Sequence, residues 1–148
     1  MAVTRSTPTI REATTDDVGA VLALWEKARS ENASTPDTPE ALTTLLTRSP
    51  GALLVAEHER DGIVGAIVAG WDGWRGNMYR LAVDPKHRRQ GVALSLARHA
   101  EAQLRRQGAR RITALVAHEE LHAVEFWIRA GYRRDTTIAR FVKSLTGG

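Results

Sequence analysis

The sequence predicts an α+β domain in which helices cover a mixed sheet. Three β-type segments follow one another between residues 52 and 83, and amphipathic helical segments precede and follow them. The chain has 148 residues, which is the usual size of one domain with a sizeable core. We therefore expect residues 1–148 to form a single domain.

The N-terminal part predicts one strand and two helices. An alternating segment at 9–13 predicts the first strand. The helix after it begins at Thr14 or Thr15, with acidic residues in its first turn, which is the favourable sign there. A second helix begins at Thr38, followed by a proline, and ends near Gly51. The apolar face of the first helix is formed by Val18, Val21, Leu22 and Trp25.

The centre of the chain predicts three antiparallel strands. Two β-type segments, 52–59 and 63–71, are joined by an Arg-Asp-Gly sequence that is typical of a hairpin turn. A glycine-rich turn at 72–76 leads to a third strand at 78–83.

The C-terminal half predicts two helices and two β segments. The long helix occupies about 91–107 and stops at Gly108, a residue type that favours helix ends. A strand at 111–117 follows, and then a helix that stops at Gly131. We expect 132–145 to form the last strand or hairpin.

The loop between the third central strand and the long helix predicts a phosphate site. Gly91 lets the backbone approach a ligand closely or take a positive φ. The first N–H groups of the helix have no partner inside it, and the helix dipole adds positive potential there. Lys86, Arg88 and Arg89 place further positive charge on the same loop. These features indicate a site for a pyrophosphate.

The same residues resemble a family signature. Arg88-x-x-Gly91-x-Ala93 is similar to the Gln/Arg-x-x-Gly-x-Gly/Ala pattern of the GNAT superfamily, the acyl-coenzyme A N-acyltransferases. The segments 10–17 and 123–132 resemble the start and the C-terminal helix of that family, and 70–76 resembles a small bacterial subgroup of undefined substrate. The resemblance implies the GNAT fold, an α+β fold with a mixed, mostly antiparallel sheet of six to seven strands and helices on both faces.

The resemblance also implies an activity. It implies transfer of an acetyl group from acetyl-coenzyme A (acetyl-CoA) directly to a primary amine, of a small molecule or of a peptide or protein, without a metal. Two parallel strands, 78–83 and 111–117, would separate to admit the thioester, and backbone N–H groups would polarise its carbonyl. The implied cofactor-binding residues are Leu81, Ala82, Val83, Arg88, Arg89, Gln90, Gly91, Val92, Ala93, Leu94 and Trp127.

The catalytic residues stay undecided. Trp127 stands where the family often has a tyrosine acid, and an indole N–H is no usable acid. Candidate substitutes are Tyr79, His118 and Glu120; Glu119 and solvent are further alternatives. Each of them is equally well explained as an ordinary strand or surface residue. A non-catalytic coenzyme A-binding interaction module is therefore the alternative function.

A competing motif lies at His118-Glu119-x-x-His122, which matches the H-E-x-x-H pattern of zinc hydrolases. That chemistry needs both histidines on one helix, whereas His118 directly follows a predicted strand. Glu125 and Ile128 stand where the extended motif needs glycine and a third histidine. A zinc hydrolase is the remote alternative.

Charge and composition restrict the partners. Residues 1–74 carry a net charge of −5 and residues 75–148 carry +9, so the first half suits a cationic acceptor and the second a polyanion. We expect no nucleic-acid partner, because no dense basic run is interleaved with aromatic residues. The chain has no cysteine, which excludes disulfides and an acyl-cysteine intermediate.

Several expectations concern location and neighbouring side chains. No segment is apolar enough for a signal peptide or a bilayer span, so we expect a cytoplasmic protein without membrane contact. The resemblance makes a homodimer possible. Trp71 and Trp74 would line an acceptor pocket, pack internally or form a dimer contact. His87 and Arg89 would face the 3′-phosphate of coenzyme A or solvent.

Overall fold

The computed structural model describes residues 6–28, 37–116 and 120–145. Within these ranges it contains five strands, four α-helices and two short 3-10 helices at 15–17 and 85–87. The strands are β1 (Thr9–Glu12), β2 (Leu53–His58), β3 (Gly62–Trp71), β4 (Gly76–Val83) and β5 (Ile112–Ala114). The helices are α1 (Val18–Lys27), α2 (Pro39–Arg48), α3 (Val92–Gln107) and α4 (Leu121–Arg129).

The five strands form one mixed sheet in the order β1-β2-β3-β4-β5. The first four strands pair antiparallel, and β5 joins β4 in parallel. The parallel pair is possible because the chain crosses over through α3, as parallel strands require. This order confirms the α+β class and the three consecutive antiparallel strands at the centre.

Helices pack on both faces of the sheet. Val92, Leu96, Ala100 and Leu104 of α3 are buried in one cluster, together with Trp127 of α4. A second cluster on the opposite face contains buried residues of α1 and α2, including Trp25, which confirms its predicted place in the core. Of the described helices, none combines the length and the apolar character needed to cross a bilayer.

The predicted C-terminal strand is wrong for the described residues. The structure assigns no strand to 132–145, and Ile138, Phe141 and Leu145 are exposed there. Their spacing is three and four residues, which lacks the alternation that buries one face of a strand. A local turn also interrupts the segment, because the Asp135 carboxylate accepts the backbone N–H of Thr137 at 2.9 Å. The described sheet therefore has five strands instead of six to seven.

The predicted strand at 111–117 is also shorter than expected. β5 pairs with β4 over three residues, and the Leu115 N–H donates to the Met78 carbonyl at 2.9 Å just beyond them. Among the described residues, which stop at 116 here, none continues this pairing, and residue 117 of the predicted strand lies outside the described residues. The regular pairing of β4 with β5 therefore ends at Met78.

A charged contact joins the N-terminal elements. The Arg11 guanidinium donates to both oxygens of the Asp17 carboxylate, at 2.8 and 2.9 Å. The backbone N–H of Thr14 donates to the same carboxylate at 2.8 Å, which fixes the turn before α1. Asp17 is one of two buried polar side chains among the described residues, and the hydrogen bonds from Arg11 lower its pKa.

We expect Asp17→Asn to destabilise the fold by about 1.5–3 kcal/mol at pH 7, the usual value of a hydrogen bond to a charged group. The folded pKa of Asp17 lies below its unfolded value of roughly 3.9, so the carboxylate stabilises the fold fully above that value. This stabilisation is lost as the pH falls through the unfolded pKa towards the folded one. Urea unfolding between pH 7 and pH 3 measures the difference from the wild type.

Asp16→Asn is the matched control, because Asp16 is the exposed neighbour of Asp17. Its free energy of unfolding should stay within about 0.5 kcal/mol of the wild type, as expected for a surface position. A difference between Asp17→Asn and the wild type that persists unchanged at pH 3 would contradict the role of the ionised carboxylate.

Candidate functional site

The loop after β4 is fixed to the sheet at Asp84. The Asp84 N–H donates to the Val64 carbonyl of β3 at 2.8 Å, which continues the β3–β4 pairing by one residue. Its carboxylate accepts the backbone N–H of Lys86 at 3.0 Å and starts the 3-10 helix at 85–87. This hydrogen bond is the main cause of the lowered pKa of Asp84.

The backbone then makes two left-handed residues before α3. Arg89 has φ +63° and Gly91 has φ +82°. A positive φ is uncommon for a residue other than glycine and is a form of local strain found at ligand sites. Gly91 is the N-cap of α3, and a Cβ at this position would meet no protein atom within 4 Å. The space in front of Gly91 is therefore open.

The N-terminus of α3 presents free N–H groups to this space. The first backbone hydrogen bond of the helix is donated by Ser95 to the Gly91 carbonyl at 3.0 Å. The N–H groups of residues 91–94 have no acceptor in the described part of the chain, as expected for the first turn of a helix. Together with the helix dipole they can bind a phosphate.

The predicted cofactor-binding residues of the loop lie around these N–H groups. The side chains of Arg88, Arg89 and Gln90 are exposed, Ala93 is partly buried, and Leu94 is 42% exposed. Val92 differs, because it is buried under the helix and contributes to the core. Its side chain is therefore structural, and its N–H group is the part that a ligand can reach.

A glycine that the sequence analysis did not single out brings α3 close to the sheet. A Cβ on Gly65 of β3 would lie 2.9 Å from side-chain atoms of both Val92 and Leu96. These distances are shorter than van der Waals contact, so the missing side chain lets the first turns of α3 rest on β3. A glycine inside a strand can signal such a close approach.

β4 is irregular opposite this helix. Arg80 has φ +54°, and the register with β3 shifts between Ala66 and Val68. Tyr79 pairs with Val68 and Ala82 with Ala66, so Arg80 and Leu81 together oppose one residue of β3, as in a β-bulge. The sequence carries no turn residue at this position, which is why the irregularity was not predicted.

Of the predicted strand residues, Leu81 belongs to this bulge and Ala82 and Val83 follow it, all beyond the last pair of β4 with β5. Leu81 and Val83 are partly buried beside the α3 cluster, and Ala82 belongs to the α1 cluster on the other face. The part of β4 beyond its last pair with β5 therefore carries apolar side chains and leads to the loop of residues 88–91.

Arg80 is held on the α1 face of the sheet. Its guanidinium lies 5.6 Å from the centre of the Trp25 ring, within the range of a cation–π contact. It also forms a 2.7 Å ion pair with the Asp37 carboxylate, just before α2. These contacts link the bulge of β4 to both N-terminal helices.

The catalytic candidates are placed unequally. Tyr79 is half-buried next to Met78, where β4 and β5 part, and burial raises the pKa of its hydroxyl. Glu120 is the exposed N-cap of α4. His118, and Glu119 beside it, lie outside the described residues. Of the candidates that the structure describes, Tyr79 is the one on β4, directly after its last pair with β5.

Helix α4 carries two residues of earlier predictions, Trp127 of the implied cofactor site and His122 of the zinc motif. Trp127 is 7% exposed and packs edge-on against Tyr132, with ring centroids 4.9 Å apart, so most of its surface serves the core. α4 begins only at Leu121, and His122 on its first turn is exposed. His118, the other histidine of the zinc motif, lies outside the described residues.

The remaining candidates have clear positions. Trp71 is partly buried and lies 3.7 Å from the site of a Cβ on Gly108, at the opposite end of α3 from Gly91. Trp74 is 79% exposed under the Arg75 guanidinium. The packing alternative fits Trp71.

The expectation that His87 faces a phosphate or solvent is wrong, because His87 is 7% exposed and contacts Asp61.

Comparisons with known proteins agree with this architecture. The Acetyltransferase (GNAT) family model matches residues 19–132. An acetyltransferase of Photorhabdus laumondii is 35% identical over 104 residues, which are 70% of this chain and 71% of that protein. These relatives support an acetyltransferase function.

Two solved structures share the fold. An aminoglycoside acetyltransferase from an uncultured soil metagenomic sample, in complex with trehalose, has a TM-score of 0.72 at 21% identity and covers 95% of this chain and 97% of its own. The NatC complex bound to Gag peptide and CoA has a TM-score of 0.73 at 18% identity, and the match covers 88% of this chain and 87% of that chain. By the family match and the sequence relative, this chain belongs to the GNAT acetyltransferase family.

Proposed function

We propose that this protein is an acetyl-CoA-dependent N-acetyltransferase that acts on a primary amine. The observation that carries the proposal is the N-terminus of α3, where the N–H groups of residues 91–94 face open space after a loop with two positive φ angles. Such an arrangement suits a diphosphate, because several N–H donors converge without a protein acceptor.

The proposed path of the donor runs from this loop into the sheet. The pyrophosphate binds the N–H groups of 91–94, with the exposed Arg88 and Arg89 adding positive charge. The pantetheine arm then follows the part of β4 that does not pair with β5, past the partly buried Leu81 and Val83. Backbone N–H groups of β4 near the bulge polarise the thioester carbonyl and stabilise the oxyanion.

The reaction is a direct transfer. The amine nitrogen forms a bond to the carbonyl carbon while the carbon–sulfur bond breaks, the nitrogen loses one proton, and the thiolate gains one. A cysteine intermediate is excluded because the chain has no cysteine. The protein must therefore position both reactants and provide routes for the two protons.

Tyr79 is our candidate for the group that protonates the leaving thiolate. Burial raises the pKa of its hydroxyl, so it stays protonated at neutral pH and can act as a donor. It lies where β4 and β5 part, beside the proposed thioester. Trp127 does not fit this role, because its indole is mostly buried and is no usable acid.

The acceptor is proposed to be a cationic amine. The half of the chain that contains α1, α2 and the first strands carries a net charge of −5, which attracts a cation. A soil aminoglycoside acetyltransferase shares the fold, so aminoglycosides belong in the acceptor panel together with polyamines and peptide amines.

Gly91→Val should weaken the binding of coenzyme A at least tenfold. The valine side chain would enter the open space where the proposed phosphates lie, and φ +82° strains any β-branched residue. Isothermal titration calorimetry with coenzyme A measures the dissociation constant.

Gly73→Val is the matched control for the same experiment. Gly73 lies in the β3–β4 turn with φ +93° and open space around it, so a valine meets similar backbone strain there. We expect a comparable loss of stability with an unchanged dissociation constant. Equal affinities of the two variants for coenzyme A would contradict the loop assignment.

Acetyl transfer should release one thiol per acetylated amine, at a rate that rises between pH 6.5 and 8.5. The reason is that the neutral amine is the nucleophile, and an alkyl amine has a pKa of roughly 10. Thiol release over the acceptor panel, with mass spectrometry of the products, measures the transfer. Tight binding of acetyl-CoA with no transfer to any amine would favour the non-catalytic module instead.

A further inference from the structure

His87 is a buried histidine directly before the loop that carries the proposed phosphate site. It ends the 3-10 helix at 85–87, and its side chain is 8% exposed. Its Nε2 lies 2.7 Å from the Asp61 carboxylate in the β2–β3 turn. This hydrogen bond therefore joins the loop to a turn that is 26 residues away in the sequence.

The surroundings define which nitrogen of His87 carries the proton. Its Nδ1 is fully buried and has no hydrogen-bond partner within the described chain. A proton on Nδ1 would be a buried donor without an acceptor, which is unfavourable. Nε2 therefore carries the proton and donates a hydrogen bond to the Asp61 carboxylate. This hydrogen bond is the main cause of the lowered pKa of Asp61.

Asp61 is itself held in place by His58. The Nδ1 atom of His58 accepts the backbone N–H groups of Arg60 and Asp61, at 3.1 and 3.2 Å. The rings of His58 and His87 lie 4.9 Å apart. The β2–β3 turn therefore presents the Asp61 carboxylate in a fixed position to His87.

These three side chains form a hydrogen-bonded cluster whose spacing does not suit a bound metal. The 2.7 Å separation of Asp61 and His87 is a hydrogen-bond distance, whereas ligands around a tetrahedral zinc ion are roughly 3.3 Å apart. The lone pair of His58 Nδ1 is also directed at two backbone N–H groups. The chemistry of the cluster is therefore that of a positioning contact.

We propose that His87 is a positioning residue for coenzyme A binding, a role that rests on the proposed function. The loop it precedes contains a strained non-glycine residue, Arg89, which must be held by its surroundings. The segment between β4 and α3 is fixed at Asp84 by the sheet and at His87 by the hydrogen bond to Asp61. These two contacts preorganise the N–H groups of residues 91–94. Preorganisation raises affinity by reducing the ordering that binding requires.

The test compares His87→Leu, which removes the donor, with His87→Gln, which keeps an N–H donor. We expect His87→Leu to raise the dissociation constant of coenzyme A and the KM for acetyl-CoA about tenfold, with kcat changed less than about twofold. His87→Gln should restore most of the affinity. The exposed His99 of α3 provides the control variant His99→Leu, which should bind like the wild type.

Asp61→Ala gives a second variant at a half-exposed turn position, should His87→Leu not fold. It should weaken binding to a similar extent, and the double variant should be no weaker than His87→Leu alone. If His87→Leu, Asp61→Ala and the double variant all bind coenzyme A with the affinity of the wild type and lose only stability, the proposal is overturned and the proposed function is left intact. No binding of coenzyme A by the wild type would overturn both. Zinc binding that is lost in His87→Leu would also overturn it.

Discussion

The position of the N-terminus of α3 over the sheet is the constraint on which the site depends. Gly65 removes the side chain that would collide with Val92 and Leu96, so the first turns of the helix rest directly on β3. The loop before the helix has little freedom, because Asp84 bonds to β3 and His87 to the β2–β3 turn. The N–H groups at 91–94 are free because they belong to the first turn of the helix, and these contacts hold them in place over the sheet.

The same sheet explains how two reactants could meet. The bulge at Arg80 shifts the register of β4 against β3, and the regular pairing of β4 with β5 ends at Met78, on the part of β4 that leads to the loop. The α3 cluster lies on one face of the sheet and the α1 cluster on the other. In the proposed reaction, a donor held by α3 and an acceptor entering from the side of α1 would approach each other at this part of β4.

Much of the fold, including the positive φ of Gly91 at the start of α3, could be predicted from local patterns. Helical spacing, the cap at Thr38 and the glycine after α3 are signals within a few residues, and the structure confirms them. The roles of Gly65, Arg80 and His87 were missed, because each depends on a partner distant in sequence that no local pattern reveals. The strand expected at 132–145 is wrong because its apolar residues do not alternate.

The most direct test of the account is amide NMR spectroscopy of the nitrogen-15-labelled protein during titration with coenzyme A. If the diphosphate binds the free N–H groups, the resonances of Gly91, Val92, Ala93 and Leu94 shift downfield and saturate together. Saturation with these four resonances unchanged, while amides elsewhere shift, would contradict the assignment of the site to the N-terminus of α3.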